Sequence, residues 1–450
     1  MNIKKIITGL ALSMLLSSGV AIAADYDSAY STYQSGNYEA AFKEMLPFAE
    51  QGNVDAQFYI AYMYANGQGV PENDKTAVKW NTLAAEKGHA DAQYNLGVMY
   101  DFGMGVPEND KTAVKWYTKA AEQGDSDSQY NLGNMYSNGE GVPENDKTAV
   151  KWYTKAAEQG HASAQYSLGT MYDQGEGVPQ NDKTAVKWFT LAAEQGVAKA
   201  QHNLGVMYGA GEGVPQNDKT AVMWYTKAAE QGDARAQYNL GGTYRSGEGV
   251  PQNYKTAVKW FTLAAEQGYA GAQNSLGVMY GAGEGVTKND KTAVMWITLA
   301  AEQGYAWAQA NLGEMYGHGK GVLQNDKTAV MWHTKAAEQG VAGAQYNLGN
   351  KYSRGEGVLK NDKTAVKWYT LAAKQGYATA QNNLGFMYRY GQGVLTDNRR
   401  AYMWYSLASY NGEKVGGENK GNLAKQMTPA DISKAQDMSS LCLESNYTDC

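Results

Sequence analysis

The stretch HADAQYNLGVMYDFGMGVPENDKTAVKWYTKAAEQG, residues 89–124, decides the fold because it returns with small changes every 36 residues. The period is clearest in ten evenly spaced tryptophans: Trp80, Trp116, Trp152, Trp188, Trp224, Trp260, Trp296, Trp332, Trp368 and Trp404. Ten such units run from residue 54 to residue 412. A fixed period of this length is typical of repeat arrays, in which each unit is one supersecondary structure.

The first half of a unit predicts a helix, here called helix A, over residues 90–102. Ala92, Leu96 and Tyr100 are spaced so that they lie on one stripe of this helix. Gly97 lies inside the helix, at a cost of about 1 kcal/mol relative to alanine. Because glycine returns at this position in the following units, we expect a close approach there that only a hydrogen atom fits.

The second half of a unit predicts another helix, here called helix B. Asn109 or Asp110 offers a side-chain cap for its first turn, and Gly124 marks its end. Trp116 lies on its apolar stripe and is expected to pack between helices. Such a hairpin cannot bury its apolar stripes alone, so we expect neighbouring hairpins to stack into an all-α solenoid.

Both ends depart from the repeat and are expected to cap the array. Residues 24–53 predict a pair of capping helices without the long inter-helix loop. Residues 413–427 are predicted to be a linker, and residues 428–450 a capping helix with a cysteine-containing tail. Cys442 and Cys450 are the two cysteines of the chain. A disulfide between them, two free thiols or a bond to a partner are all open.

Residues 1–23 have the pattern of a secretory signal peptide. Lys4 and Lys5 precede an apolar run, and residues 21–23 form the A-x-A cleavage pattern. A retained membrane anchor is the alternative, but the run is short for a span and is interrupted by small and polar residues. We therefore expect cleavage after Ala23, no stable membrane insertion afterwards, and a bacterial protein exported to the periplasm or secreted.

The repeat pattern itself points to a family. The motif A-Q-Y-N-L-G-x-M-Y-x-x-G-x-G in residues 92–105, followed by D-K-x-A-x-x-W-x-x-x-A-A in residues 110–121, resembles the Sel1-like repeat. This repeat is a relative of the tetratricopeptide repeat with a longer inter-helix loop. The resemblance implies a right-handed superhelix used as an adaptor or binding scaffold. Bacterial exported members of the family are linked to contacts with host or envelope proteins.

The loop GEGVPQNDKTAV, residues 175–186, looks like a phosphate-binding loop. The spacing from Gly177 to Lys183 fits, but Asp182 stands where the second glycine is required. Asp182 places a carboxylate where the backbone must approach a phosphate, and Pro179 removes an amide donor. We therefore expect a structural joint with positive-φ glycines, and neither a nucleotide nor another cofactor.

No motif predicts catalysis or metal binding. The five histidines have no H-E-x-x-H or C-x-x-C partner and are expected at random surface or loop positions: His89, His161, His202, His318 and His333. No G-x-S-x-G element occurs. The chain is therefore predicted not to be an enzyme. The competing hypothesis, a hydrolase acting on cell wall or β-lactams, rests on resemblance to cysteine-rich Sel1-like proteins, whose repeats each carry a cysteine pair that this chain lacks.

A partner surface is expected on helix A, on the concave face that such solenoids commonly present. Positions 94, 98 and 101–102 should face outward, and their variation between units fits either tuning for a partner or drift. The candidate residues are Tyr94, Asn95, Asn131, Asn203, Asn239, Asn311, Asn347, Asn383, Phe386, Arg389 and Tyr390.

The asparagines of this set form a row that has two interpretations. Their carboxamides could pair with the backbone of an extended peptide, or each could bond within its repeat to the next loop. The expected partner is a protein or peptide. The formal charge of −6 gives no electrostatic reason to bind nucleic acid or an anionic membrane.

Overall fold

The computed structural model describes residues 22–450, so almost all of the predicted signal peptide lies outside the described residues. The described residues form α-helices and no strand. In chain order the helices are α1 Ile22–Gln34, α2 Tyr38–Glu50, α3 Val54–Asn66, α4 Asp74–Glu86, α5 Ala90–Asp101, α6 Asp110–Glu122, α7 Ser126–Asn138, α8 Asp146–Glu158, α9 Ala162–Gln174, α10 Asp182–Glu194, α11 Ala198–Ala210, α12 Asp218–Glu230, α13 Ala234–Ser246, α14 Tyr254–Glu266, α15 Ala270–Ala282, α16 Asp290–Glu302, α17 Ala306–His318, α18 Asp326–Glu338, α19 Ala342–Arg354, α20 Asp362–Ala373, α21 Ala378–Tyr390, α22 Asn398–Tyr410, α23 Lys414–Ala424 and α24 Pro429–Glu444. None of these helices is long and apolar enough to cross a membrane.

The chain divides into two compact units, one ending at Ala228 and the other beginning at Ala229. Within each unit, helix A of a repeat packs on helix B of the same repeat and on helix B of the repeat before it. Each unit is therefore a stack of helix pairs, and the prediction of an all-α solenoid is confirmed.

The loop between helices A and B is a structural joint, as its sequence predicted. Gly175 and Gly177 have φ angles of 74° and 68°, which residues other than glycine rarely adopt. The amide of Asn181 donates to the carbonyl of Tyr172 at 2.8 Å. The Asn181 side chain accepts from the amide of Thr184 at 3.0 Å. Asparagine, rather than the following aspartate, is thus the cap of helix B, and these loop amides are engaged internally.

The glycine inside helix A marks the closest approach of helix B. A Cβ atom at Gly169 would lie 2.7 Å from Cδ1 of Phe189, which is fully buried. Most of the equivalent glycines face an aromatic ring of helix B in the same way, for example Gly133 against Tyr153, and Gly277 faces Ile297. The predicted close approach is confirmed.

A row of buried glutamines joins neighbouring repeats. Gln165 is 4% exposed, and its Nε2 donates to the carbonyl of Ala157 near the end of the preceding helix B at 3.1 Å. Its Oε1 accepts from Gln195 at 2.8 Å. These bonds give a hydrogen-bond partner to polar groups that would otherwise be buried and unpaired near the helix ends. The bond to a preceding carbonyl recurs at Gln57, Gln93, Gln129, Gln201, Gln237, Gln273, Gln309, Gln345 and Gln381.

The predicted linker over residues 413–427 is wrong, because α23 occupies most of it and packs on α22. This helix keeps the register of helix A. Asn419 lies one period after Asn383 and donates to Asn382 at 2.9 Å, and Leu423 is buried. α23 is therefore helix A of a shortened eleventh unit. Its three glycines lower the helix propensity and hide the pattern in the sequence.

The C-terminal helix α24 packs on α22 and leads into a closed tail. Cys442 and Cys450 form a disulfide with their Cα atoms 4.8 Å apart. Cys442 is fully buried in the same apolar cluster as Trp404. Lys374 donates to the carbonyl of Thr448 at 3.1 Å. The C-terminal segment thus covers α22, the last helix B of the array, and reaches the end of α20.

Candidate partner-binding surface

The residues of helix A that face outward, here called the outward strip, form a narrower row than the sequence predicted. Tyr94 and Asn95 are only 6% and 4% exposed, so their placement on the partner face is wrong. The ring of Tyr94 instead packs near Tyr117 of helix B, with centroids 6.1 Å apart. Each helix A has neighbours on several sides, and these bury the flanks of the strip. The exposed large apolar side chains of the outward strip are Phe102, Val206, Phe386 and Tyr390, all at positions equivalent to 98 or 102.

The remaining asparagines of the predicted row are half-buried: Asn131, Asn203, Asn239, Asn311, Asn347 and Asn383. Asn311 donates to Asn274 at 2.9 Å, and Asn347 donates to Glu314 at 3.2 Å. Both bonds run to helix A of the preceding repeat. For Asn311 and Asn347 the structure therefore supports neither pairing with a bound peptide nor a bond to the next loop. Their amides tie adjacent helices A together and do not reach the next loop.

Tyrosine hydroxyls from helix B join this polar layer. Tyr369 donates to Oδ1 of Asn350 at 2.7 Å, and Asn383 donates to the same oxygen at 3.4 Å. Tyr153 donates to Asn134 at 2.7 Å in the same arrangement. Burial raises the pKa of Tyr369, which keeps the hydroxyl protonated as a donor. An acceptor on helix A thus pairs with the buried tyrosine in these two repeats, and Asp101 plays this part for Tyr117 at 3.1 Å.

Repeat ten breaks this arrangement. Position 98 is Phe386 and position 101 is Arg389, neither of which offers an acceptor. Tyr405 is fully buried, and its hydroxyl has no hydrogen-bond partner among the described residues. Burial raises the pKa of Tyr405 to about 12, against the opposing effect of Arg389, whose guanidinium lies near the hydroxyl without meeting hydrogen-bond geometry. A buried polar group of this kind is costly to the folded state.

The side chains that replace the acceptors form an exposed cluster, here called the repeat-ten patch: Phe386, Arg389 and Tyr390. Phe386 and Tyr390 are 42% and 54% exposed, with ring centroids 4.5 Å apart. The Arg389 guanidinium lies 5.2 Å from the centre of the Tyr390 ring. Within residues 22–450 this arginine makes no ion pair.

Replacing Tyr405 with phenylalanine is expected to stabilise the protein by about 1 kcal/mol, because it removes an unpaired buried hydroxyl. Phenylalanine fits, since Phe189 and Phe261 occupy the same position. The matched control is Tyr153→Phe, which removes a satisfied bond to Asn134 and should destabilise by about 1 kcal/mol. Urea midpoints of the two variants measure this. Equal effects in the two repeats would contradict the assignment of Tyr405 as unpaired.

Notches open between adjacent helices A. One of about 440 Å³ lies between α5 and α7, and its lining includes Asp101, Glu108, Asp110 and Glu140. Burial, with these carboxylates nearby, raises the pKa of Asp101. Another of about 220 Å³ lies between α15 and α17. Such notches can receive single side chains of a partner. The described residues contain no group of histidine, cysteine and carboxylate side chains arranged to hold a metal ion.

The histidines are not randomly placed, which corrects the prediction for them. His161 caps helix A, accepting from the amide of Ala164 at 3.1 Å. His202 and His333 are buried, at 8% and 2% exposure. His333 stands where most repeats have tyrosine or phenylalanine, and its ring packs on Gly313. In the sequence, the position of each histidine within the 36-residue repeat indicates its role, whereas the residues next to it in the chain do not.

Stacked helix pairs with an outward strip of polar and aromatic side chains define an α-solenoid of the kind that serves as an interaction scaffold. The chain belongs to the Sel1 repeat family, which it matches at residues 54–89, 90–125, 126–161, 162–197, 198–233, 234–269, 270–305, 308–341, 342–377 and 378–413. Sel1 repeat proteins are generally non-catalytic scaffolds that bind other proteins.

Solved structures agree with the family. A protective antigen present in uropathogenic Escherichia coli strains is 38% identical, with a TM-score of 0.88 over 94% of this chain and 93% of that one. A Sel1 repeat protein from Oxalobacter formigenes is 36% identical, with a TM-score of 0.55 over 69% of this chain and 89% of that one. A comparison with curated proteins found no match.

Proposed function

We propose that this protein is an exported, non-enzymatic scaffold that binds a protein or peptide through the outward strip of its helices A, which would line a concave face. The repeat-ten patch is the observation that carries the proposal. Tyrosine, phenylalanine and arginine are enriched in the buried centres of protein interfaces. Here Phe386 and Arg389 stand where repeats with a bonded tyrosine have an acceptor, so the patch forms at a cost in stability.

Three observations support export. The first residues have the pattern of a signal peptide. The disulfide between Cys442 and Cys450 suits an oxidising compartment. The similar Escherichia coli protein is a protective antigen present in uropathogenic strains, and export of this chain would agree with that. Fractionation of cells into cytoplasm, periplasm and medium tests this part of the proposal.

The hydrolase alternative has no supporting observation. Both cysteines of the chain are paired with each other in the C-terminal tail, and none lies in a repeat. The hydroxyls of Tyr153 and Tyr369 and the glutamine row are occupied in holding the repeats together. We therefore do not propose an enzymatic function.

The binding surface is tested in two stages. A photo-crosslinking amino acid at position 390 should capture a partner in intact cells, whereas the same amino acid at position 410 should not. Tyr410 is 72% exposed in the same repeat but lies on helix B, which makes it a matched control.

With the captured partner purified, a variant carrying Phe386→Ala, Arg389→Ala and Tyr390→Ala should lose at least tenfold in affinity, since residues of these types dominate interfaces. Tyr410→Ala should bind within about twofold of the parent. Titration calorimetry measures both. Unchanged affinity of the triple variant would exclude the repeat-ten patch as the site.

A further inference from the structure

A second surface, on the loops of the later repeats, is exposed and apolar in a regular way. Leu323, Leu359 and Leu395 are 91%, 91% and 90% exposed. They occupy the same position in the A-to-B loops of three consecutive repeats, all within the second unit. We call this row the leucine edge. Single exposed leucines are ordinary, but three at one repeated position form a line.

The loops that carry the leucine edge are stacked on one another. Any side chain at Gly357 would collide with the backbone of Asp326, and any at Gly393 with the backbone of Asp362. Each loop thus rests on the first residue of the preceding helix B. Successive leucines therefore follow one another at roughly the spacing of packed helices, about 8–10 Å.

Folding does not require leucine at these positions. Six earlier repeats have proline there: Pro71, Pro107, Pro143, Pro179, Pro215 and Pro251. A side chain that is nine-tenths exposed buries almost no apolar surface on folding. The leucines therefore add nothing to the packing of their own loops.

The leucine loops also differ in charge from the first proline loops, although the proline loop at residues 245–255 already carries +1. Residues 101–111, 137–147 and 173–183 each carry three carboxylates and one lysine, a net charge of −2. The corresponding residues 317–327, 353–363 and 389–399 each carry a net charge of +1. The cations exposed beside the leucines are Lys320, Lys327, Arg354, Lys360, Lys363 and Arg399.

Two acidic side chains of these loops form ion pairs with a lysine of helix A. Lys351 replaces the methionine usual at its position in helix A, and its Nζ lies 2.8 Å from Asp326 and 2.9 Å from Glu356. This lysine is outside the three charged segments, and its pairing offsets two of their carboxylates. Three of the exposed cations, Arg354, Lys360 and Arg399, have a carboxylate of their own at 3.7–4.0 Å. The edge therefore has a positive local field although the whole chain carries −6.

We propose that the leucine edge docks the protein peripherally on an anionic phospholipid surface. The leucines enter the interfacial layer, and the flanking cations lie among the phosphates. A lipid surface suits this row better than a protein does, because the leucines stand at separate loop tips rather than in one closed patch. The expectation from net charge alone, that the chain has no reason to approach an anionic membrane, is thereby reversed locally.

The test is vesicle flotation with the chain lacking residues 1–23, so that the apolar N-terminus cannot contribute. The parent should bind vesicles of phosphatidylglycerol and phosphatidylcholine in equal parts, bind pure phosphatidylcholine at least tenfold more weakly, and lose binding as salt is raised. The variant Leu323→Pro, Leu359→Pro, Leu395→Pro should lose at least tenfold in partition coefficient. Its thermal midpoint should stay unchanged, because proline is native to this loop position.

Two further variants separate the apolar and charged contributions. Lys320→Glu, Lys360→Glu and Arg399→Glu together should abolish binding to the anionic vesicles with the leucines intact. Leucine in place of Pro107, Pro143 and Pro179 puts the apolar tips on acidic loops and should not raise binding. No binding by the parent, or equal binding by the triple proline variant, would overturn the proposal.

Discussion

Replacing Gly169 with alanine is expected to destabilise the fourth repeat by about 1–3 kcal/mol, the usual cost of overpacking a core. Alanine is the better helix former, so intrinsic propensity alone predicts the opposite sign. The new Cβ would lie 2.7 Å from the ring of Phe189, which is fully buried and cannot turn away. Helices A and B of the repeat would therefore have to move apart.

Gly242 is the matched control, because it also lies inside a helix A but has nothing within 4 Å of a built Cβ. Gly242→Ala should stabilise the chain by up to about 1 kcal/mol. Thermal midpoints of the two variants, with hydrogen exchange in α9 and α10 to locate the effect, measure the difference. A Gly169→Ala variant as stable as the parent would mean that the two helices are not in close contact there.

Replacing His333 with phenylalanine is expected to remove a large part of the acid sensitivity of the eighth repeat. Burial, with Lys351 and His318 nearby, lowers the pKa of His333 to about 4 from an ordinary 6.5. The unfolded chain therefore binds this proton first as the pH falls. Stability is fully present above pH 6.5 and is lost between pH 6.5 and 4, by about 3 kcal/mol in all.

The phenylalanine variant should lack this loss, because Phe189 and Phe261 fill the same position without a titrating group. Urea midpoints of parent and variant, measured at pH 7 and near pH 4, give the pH-dependent difference and cancel the titration of other groups. His318→Gln, at an exposed position, is the control; it removes only the smallest of the three causes and should keep most of the parent's loss of stability. Identical profiles for parent and His333→Phe would show that His333 is protonated in the folded state.

The repeat architecture was predictable because it depends on local patterns that recur. The tryptophan period, a cap at Asn181 or Asp182 and the close approach at Gly169 each follow from residue type and spacing. The linker was mispredicted because α23 has three glycines and little intrinsic helix propensity. Packing on α22 stabilises this helix, and the helix propensity of the segment alone does not include that stabilisation.

The candidate surface was predictable only in part. Phe386 and Tyr390 are exposed as expected, whereas Tyr94 and Asn95 are buried. Helical periodicity indicates which residues lie outside the apolar stripe, but it does not show which of them neighbouring helices bury. The leucine edge lies in loops whose exposure and stacking no periodicity describes.

The sequence by itself determined the class of fold, the ten full repeats and the position of each joint within them, because those follow from interactions within about 36 residues that are repeated ten times. Only the tertiary structure decided which polar side chains are satisfied and which remain available. Gln165 is occupied by two neighbours, whereas the hydroxyl of Tyr405 has none among the described residues. The physical reason is that a hydrogen bond depends on donor and acceptor positions contributed by different helices, and those positions exist only once the repeats are stacked.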